Sequence, residues 1–101
     1  MPLDFALLAQ DGTPVEVVPI SMAEHEELIA YARELKLFRI LRFHDYFEDV
    51  DTTTIELPGL QKEITTMAHR YPTAKPSFLN DLQRLVALAI TRHQTLYAIA
   101  D

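Results

Sequence analysis

Few residues in this chain have the chemistry of a reactive site, and their spacing decides what they can build. Four histidines, His25, His44, His69 and His93, would be the nucleus of any metal or acid–base centre. No two stand four apart on one helix and none sits in a glutamate-flanked zinc motif, so only tertiary folding could gather them. We read them as surface or core-edge side chains. His44-Asp45 matches the central dipeptide of metal-dependent phosphohydrolases. Those enzymes hold metal and water with further histidines and aspartates on separate helices, and this chain offers no matching upstream pair. Cysteine is absent, which removes thiolate nucleophiles, soft zinc ligands and disulfides. Gly12 and Gly59 are the only glycines, too few for a phosphate-cradling loop. Ser21 and Ser77 read as helix caps rather than nucleophiles. The expectation is a protein that is not an enzyme and needs no metal or cofactor.

A different cluster is more informative. Asp45, Tyr46, Phe47, Glu48, Asp49 and Asp51 follow one another closely, with Glu56 beyond. This is not a calcium loop, because the central glycine and terminal bidentate glutamate are missing. One reading is a solvated acidic loop. The other is a partner-binding surface, since aromatics set among charges are common at the energetic centres of protein interfaces. Arg33, Lys36, Arg39 and Arg42 recur every three residues. They read as a solvated face matched to the negative end of a helix dipole.

The elements that must position these groups belong to one domain, residues 1–101. The chain is 49% hydrophobic and 24% charged, within the globular range. No leader pattern and no membrane-length apolar run is present in the sequence, which points to a cytoplasmic protein. The net charge of −6 repels nucleic acid and anionic membrane and favours a basic protein partner; it leaves the oligomeric state open.

Leu3 to Gln10 alternates as a strand, with Leu3, Phe5, Leu7 and Ala9 on one face and Asp4, Ala6, Leu8 and Gln10 on the other. Asp11-Gly12 marks a hairpin turn, and Pro14 to Ile20 a second strand whose Pro19 places it at an edge. Ser21-Met22-Ala23-Glu24 is a capping box opening a helix over 22–37, with Leu28, Ala32 and Leu35 inward. The apolar density of Phe38 to Phe47 predicts a short second helix over 39–46. Thr52 to Ile55 reads as a brief extended stretch. Pro58 opens a third helix carrying Leu60, Ile64, Met67 and Tyr71 at helical spacing. After a loop at Tyr71–Pro76, Ser77 is expected to cap a fourth helix running to His93. Leu96 to Ala100 forms a last strand that joins the hairpin. The predicted fold is α+β: an N-terminal β-hairpin with a short C-terminal strand, packed against about four helices.

Four stretches in this order, Leu3-Asp4-Phe5-Ala6-Leu7-Leu8, Asp11-Gly12-Thr13-Pro14, His25-Glu26-Glu27-Leu28-Ile29 and Asp45-Tyr46-Phe47-Glu48-Asp49, resemble small acidic bacterial immunity proteins of polymorphic-toxin systems, contact-dependent or type VI secretion. The likeness covers roughly the first half of the chain and loosely its tail. It implies a protein that binds and neutralises a cognate toxin domain in the cytosol, commonly by covering its active site. The alternative is a small adaptor or regulatory module with no catalytic activity.

Overall fold

A computed structural model describes residues 3–71 and 76–100 of the chain. Strands β1 (Leu3–Leu8) and β2 (Pro14–Ile20) form the expected hairpin. Its loop is longer than a two-residue turn. Gly12 N–H donates to the Ala9 carbonyl at 2.9 Å, and Ala9 N–H donates to the Thr13 carbonyl at 2.8 Å. Gly12 takes a φ of 86°, a conformation glycine reaches without a Cβ penalty. The Asp11 carboxylate accepts from the Thr13 N–H at 3.0 Å and the Thr13 hydroxyl at 2.6 Å, and these bonds hold its pKa below the usual range.

Helix α1 (Met22–Leu35) begins at the reciprocal capping box: Glu24 N–H donates to the Ser21 hydroxyl, and Ser21 N–H donates to the Glu24 carboxylate at 2.9 Å. It ends where Lys36 turns left-handed at φ 57°, slightly before the predicted boundary. Strand β3 (Val50–Thr52), helix α2 (Leu57–Arg70), helix α3 (Ser77–Arg92) and strand β4 (Leu96–Ala100) complete the chain.

Among the described residues the sheet has four strands in the order β2-β1-β4-β3, all antiparallel. β1 is therefore central, with β2 on one side and the C-terminal strand on the other. Cross-strand register puts Leu3, Phe5 and Leu7 on the face shared with Ile20, Val18, Ala98 and Val50. That face joins Leu28 and Ala32 of α1, Leu60 and Ile64 of α2, and Leu82 and Val86 of α3 in one hydrophobic cluster. Asp4, Ala6, Leu8, Val17, Tyr97 and Ile99 alternate onto the opposite face and stand outside that cluster. The helices thus cover one face of the sheet only.

Among the described residues three α-helices are present, where about four were expected. The predicted helix at 39–46 is a single 3-10 turn, Ile40–Phe43. Its apolar residues are buried in different directions. The Phe43 ring meets Phe5 edge-on at 5.0 Å, whereas Tyr46 reaches back to α1 and the end of β2. No single helical stripe serves both. The exposed N–H groups at the start of the turn are satisfied from outside: the Glu63 carboxylate of α2 accepts from Arg39 at 2.9 Å and from Ile40 at 3.1 Å.

Two smaller departures concern element boundaries. The extended stretch lies at 50–52 rather than 52–55, because Thr53 and Glu56 close a turn: Glu56 N–H donates to the Thr53 carbonyl, and the Glu56 carboxylate accepts from the Thr53 N–H and hydroxyl. Ser77 is the first residue of α3 rather than its cap; Pro76 holds the cap position, with no side-chain bond. The loop expected at Tyr71–Pro76 falls largely on 72–75, outside the described residues.

Replacing Ser21 with alanine removes one half of the capping box and should lower stability by about 1 kcal/mol. Urea denaturation should show a lower midpoint with an unchanged slope.

Candidate partner-binding surface

The acidic segment is built on the end of the 3-10 turn and on β3, the edge strand beside β4. The structure gives its residues different tasks. Tyr46 points inward and is 8% exposed. Its hydroxyl donates to the Ile20 carbonyl at 3.1 Å, and its ring meets His25 edge-on at 5.0 Å. His25 is itself buried and bonded through Nε2 to the Phe43 carbonyl at 2.6 Å. Tyr46 thus ties the segment to the end of β2 and to α1.

Phe47 is the opposite case. It is 71% exposed and lies edge-on against the Tyr46 ring at 5.5 Å. The Asp45 carboxylate accepts from the Phe47 N–H at 2.9 Å, and the Glu48 N–H donates to the Asp45 carbonyl, which closes a turn around the phenyl ring. The exposed aromatic is therefore held on a turn that is bonded to itself and anchored through its buried neighbour.

Asp49 accepts from the Ala100 N–H at 2.8 Å. β3 pairs with β4 only from Val50↔Ala98 onward, so the Asp49 side chain continues the ladder one donor further than the backbone does. The Asp51 carbonyl accepts from the Arg42 guanidinium at 3.1 Å, and Arg42 also pairs with Glu56. The Thr53 backbone N–H, then the Thr53 hydroxyl, then Arg42 lower the Glu56 pKa below the usual carboxylate range. Among the described residues the carboxylates of Glu48 and Asp51 have no hydrogen-bond or ion-pair partner. Of the expected site, then, Tyr46 and Asp49 are structural, Asp45 shapes the turn, and Phe47, Glu48 and Asp51 face outward unengaged.

A part of the surface was not singled out from the sequence. A groove of about 470 Å³ runs between α1 and the Asp45–Phe47 turn. Met22, which is 49% exposed, Ile29 and Ala30 of α1 supply its apolar wall, with Glu26 and Arg33 at its edge. Met22 is the second residue of the capping box, and the box fixes where it emerges. The adjacency of β2's end to Tyr46 is what brings it beside Phe47. The helical wheel of α1 gives only the inward stripe, so the local sequence carries no signal for this pairing.

The four histidines are dispersed. His25 is in the core, His44 bonds its own turn at the Leu41 carbonyl, His69 is exposed on α2, and His93 ends α3 in a left-handed conformation. Among the described residues no three histidine, aspartate or glutamate side chains gather as metal ligands. Among the described residues no helix is long and apolar enough to cross a membrane.

Comparison of the chain with protein-family models, curated proteins and solved structures found no match.

Two substitutions test the structural role of the Asp49 carboxylate. Asp49→Ala removes the acceptor of the Ala100 N–H and should cost about 1 kcal/mol, whereas Asp49→Asn keeps an acceptor oxygen and should cost far less. Because the Glu56 pKa is depressed in the folded state, its contribution is fully present above the usual carboxylate range. It is lost as pH falls through the depressed value. In a comparison of thermal melts down this acid range, Glu56→Gln should lose less stability than the parent chain.

Proposed function

We propose that this chain is an immunity-type protein that binds a basic toxin domain in the cytosol and neutralises it. The observation that carries the reading is Phe47. A large aromatic ring stands 71% exposed on a turn that is anchored through Tyr46, and the partnerless carboxylates of Glu48 and Asp51 follow it in the chain. A side chain this size costs hydrophobic free energy when left in water, and its pre-ordered turn lowers the entropic cost of binding. The carboxylates form a charged rim, which steers a basic partner and speeds encounter. The Met22 groove beside Phe47 widens the apolar contact. The resemblance to toxin-immunity proteins adds the biological role, and the net charge of −6 is of the sign that suits a basic target. An adaptor would use the same surface without protecting a cell.

Co-expression with the protein encoded by the adjacent reading frame tests the role. The expected outcome is rescued growth and co-purification; binding without rescue would support the adaptor reading instead. The surface is tested by kinetics. Glu48→Gln, Asp49→Asn and Asp51→Asn together should slow association at low salt, with the difference shrinking as salt rises. Phe47→Ala should speed dissociation by about tenfold or more, as expected for a residue at the centre of an interface. Unchanged rates in both variants would remove this segment from the interface.

A further inference from the structure

The two edges of the sheet are finished differently. At β3 the edge is occupied: Arg42 bonds the outward Asp51 carbonyl, and the 3-10 turn lies alongside. At β2 the backbone is open. Pro19 has no N–H, so the Asp4↔Pro19 pair cannot exchange hydrogen bonds. The alternation of an antiparallel ladder then makes Ala6↔Val17 a second non-bonded pair, with the Val17 N–H and C=O pointing away from β1. Among the described residues nothing bonds these groups. Val15 and Val17 are 52% and 46% exposed along the same edge.

We propose that a second copy of this chain covers the edge, with the two β2 strands pairing antiparallel about a twofold axis at Val17. The reciprocal Val17 pair exchanges two hydrogen bonds and asks no donor of Pro19, whose outward carbonyl lies opposite Val15 of the other copy. Two four-stranded sheets become one continuous sheet.

The flanking helix argues for a copy rather than a foreign strand. α3 runs beside β2, and a groove of about 340 Å³ between them is lined by Ser77, Asp81, Arg84 and Leu88. These positions form one stripe along the helix. A twofold axis sets α3 antiparallel to itself, and pairing centred between Asp81 and Arg84 brings each Asp81 to the other copy's Arg84 and each Ser77 to the other copy's Leu88. Self-complementarity of this kind is what an isologous interface requires. Asp81 and Arg84 are exposed and already lie 3.5 Å apart on their own helix. The one charge of β2, Glu16, is met by Arg92 of its own chain at 4.0 Å, so the strand itself selects no charged partner. Mutual repulsion of two chains of net charge −6 weakens the association. The proposal uses a different face from the Phe47 surface and does not depend on it.

Sedimentation velocity of the full chain from about 1 μM to about 1 mM should show a monomer–dimer equilibrium. Val17→Asp sets like charges opposite each other and should weaken the dimer at least about tenfold. Asp81→Arg and Arg84→Asp should each weaken it, and the double exchange should restore it. Because the chain has no cysteine, Val17→Cys provides a readout in a variant that keeps the exposed strand intact: mild oxidation should give a crosslinked dimer, whereas Val15→Cys should not. A monomer over the whole range, a dimer indifferent to Val17→Asp, or single charge reversals that the double exchange does not rescue would each overturn the proposal.

Discussion

Strand β1 is bonded on both sides, by β2 and by β4, and one of its faces supplies Leu3, Phe5 and Leu7 to the core. The placement of every other element depends on this double pairing. Because β4 lies at the far end of the sequence, its pairing with β1 brings distant parts of the chain together, with α1, α2 and α3 in the connection between β2 and β4. The three helices share a single apolar cluster with it, in which Leu3, Phe5, Leu7, Ile20, Leu57 and Leu79 are almost wholly removed from water. Burial on this scale outweighs the entropy of ordering any one segment only because the segments are buried together.

The Phe47 surface follows from the same arrangement. The 3-10 turn is pressed onto the sheet by Phe43 against Phe5, and onto α2 by the Glu63 carboxylate. Once Phe43 and Tyr46 are fixed inward, the residue after Tyr46 has nowhere to go but outward. The exposed ring of Phe47 is thus a consequence of burying its neighbours, and its carboxylate rim is a consequence of β3 being an edge. Tyr71 shows a parallel case away from that surface: it is bonded to Glu27 and edge-on to Tyr31, and partial burial followed by the Glu27 carboxylate raises its pKa above the usual tyrosine range.

Much of this was legible in the sequence where the signal is local. The hairpin rests on strict alternation and on Asp11-Gly12, the start of α1 on the Ser21–Glu24 box, and the inward stripe of α2 on 3.6-residue spacing. The C-terminal strand and the edge position of β2 also come from composition and Pro19. What was not legible depends on tertiary partners. The apolar run Phe38–Phe47 looks helical until Glu63 and Phe5 pull it into a short turn. The acidic segment looks uniform until the Ala100 N–H claims Asp49, while Asp51 alternates outward between the inward-facing Val50 and Thr52 of β3. Met22 reads as a helix-start residue, and only the fold places it beside Phe47.

A partner seated on the turn around Phe47 and its groove would shield that region from solvent. Amide hydrogen exchange on this chain, alone and in the complex it co-purifies with, reads this shielding. Exchange should slow in the complex across residues 44–51 and at the start of α1 around Met22, with little change along α2. Protection concentrated on α2 or on the open face of the sheet, with residues 44–51 exchanging as fast as in the free protein, would contradict it.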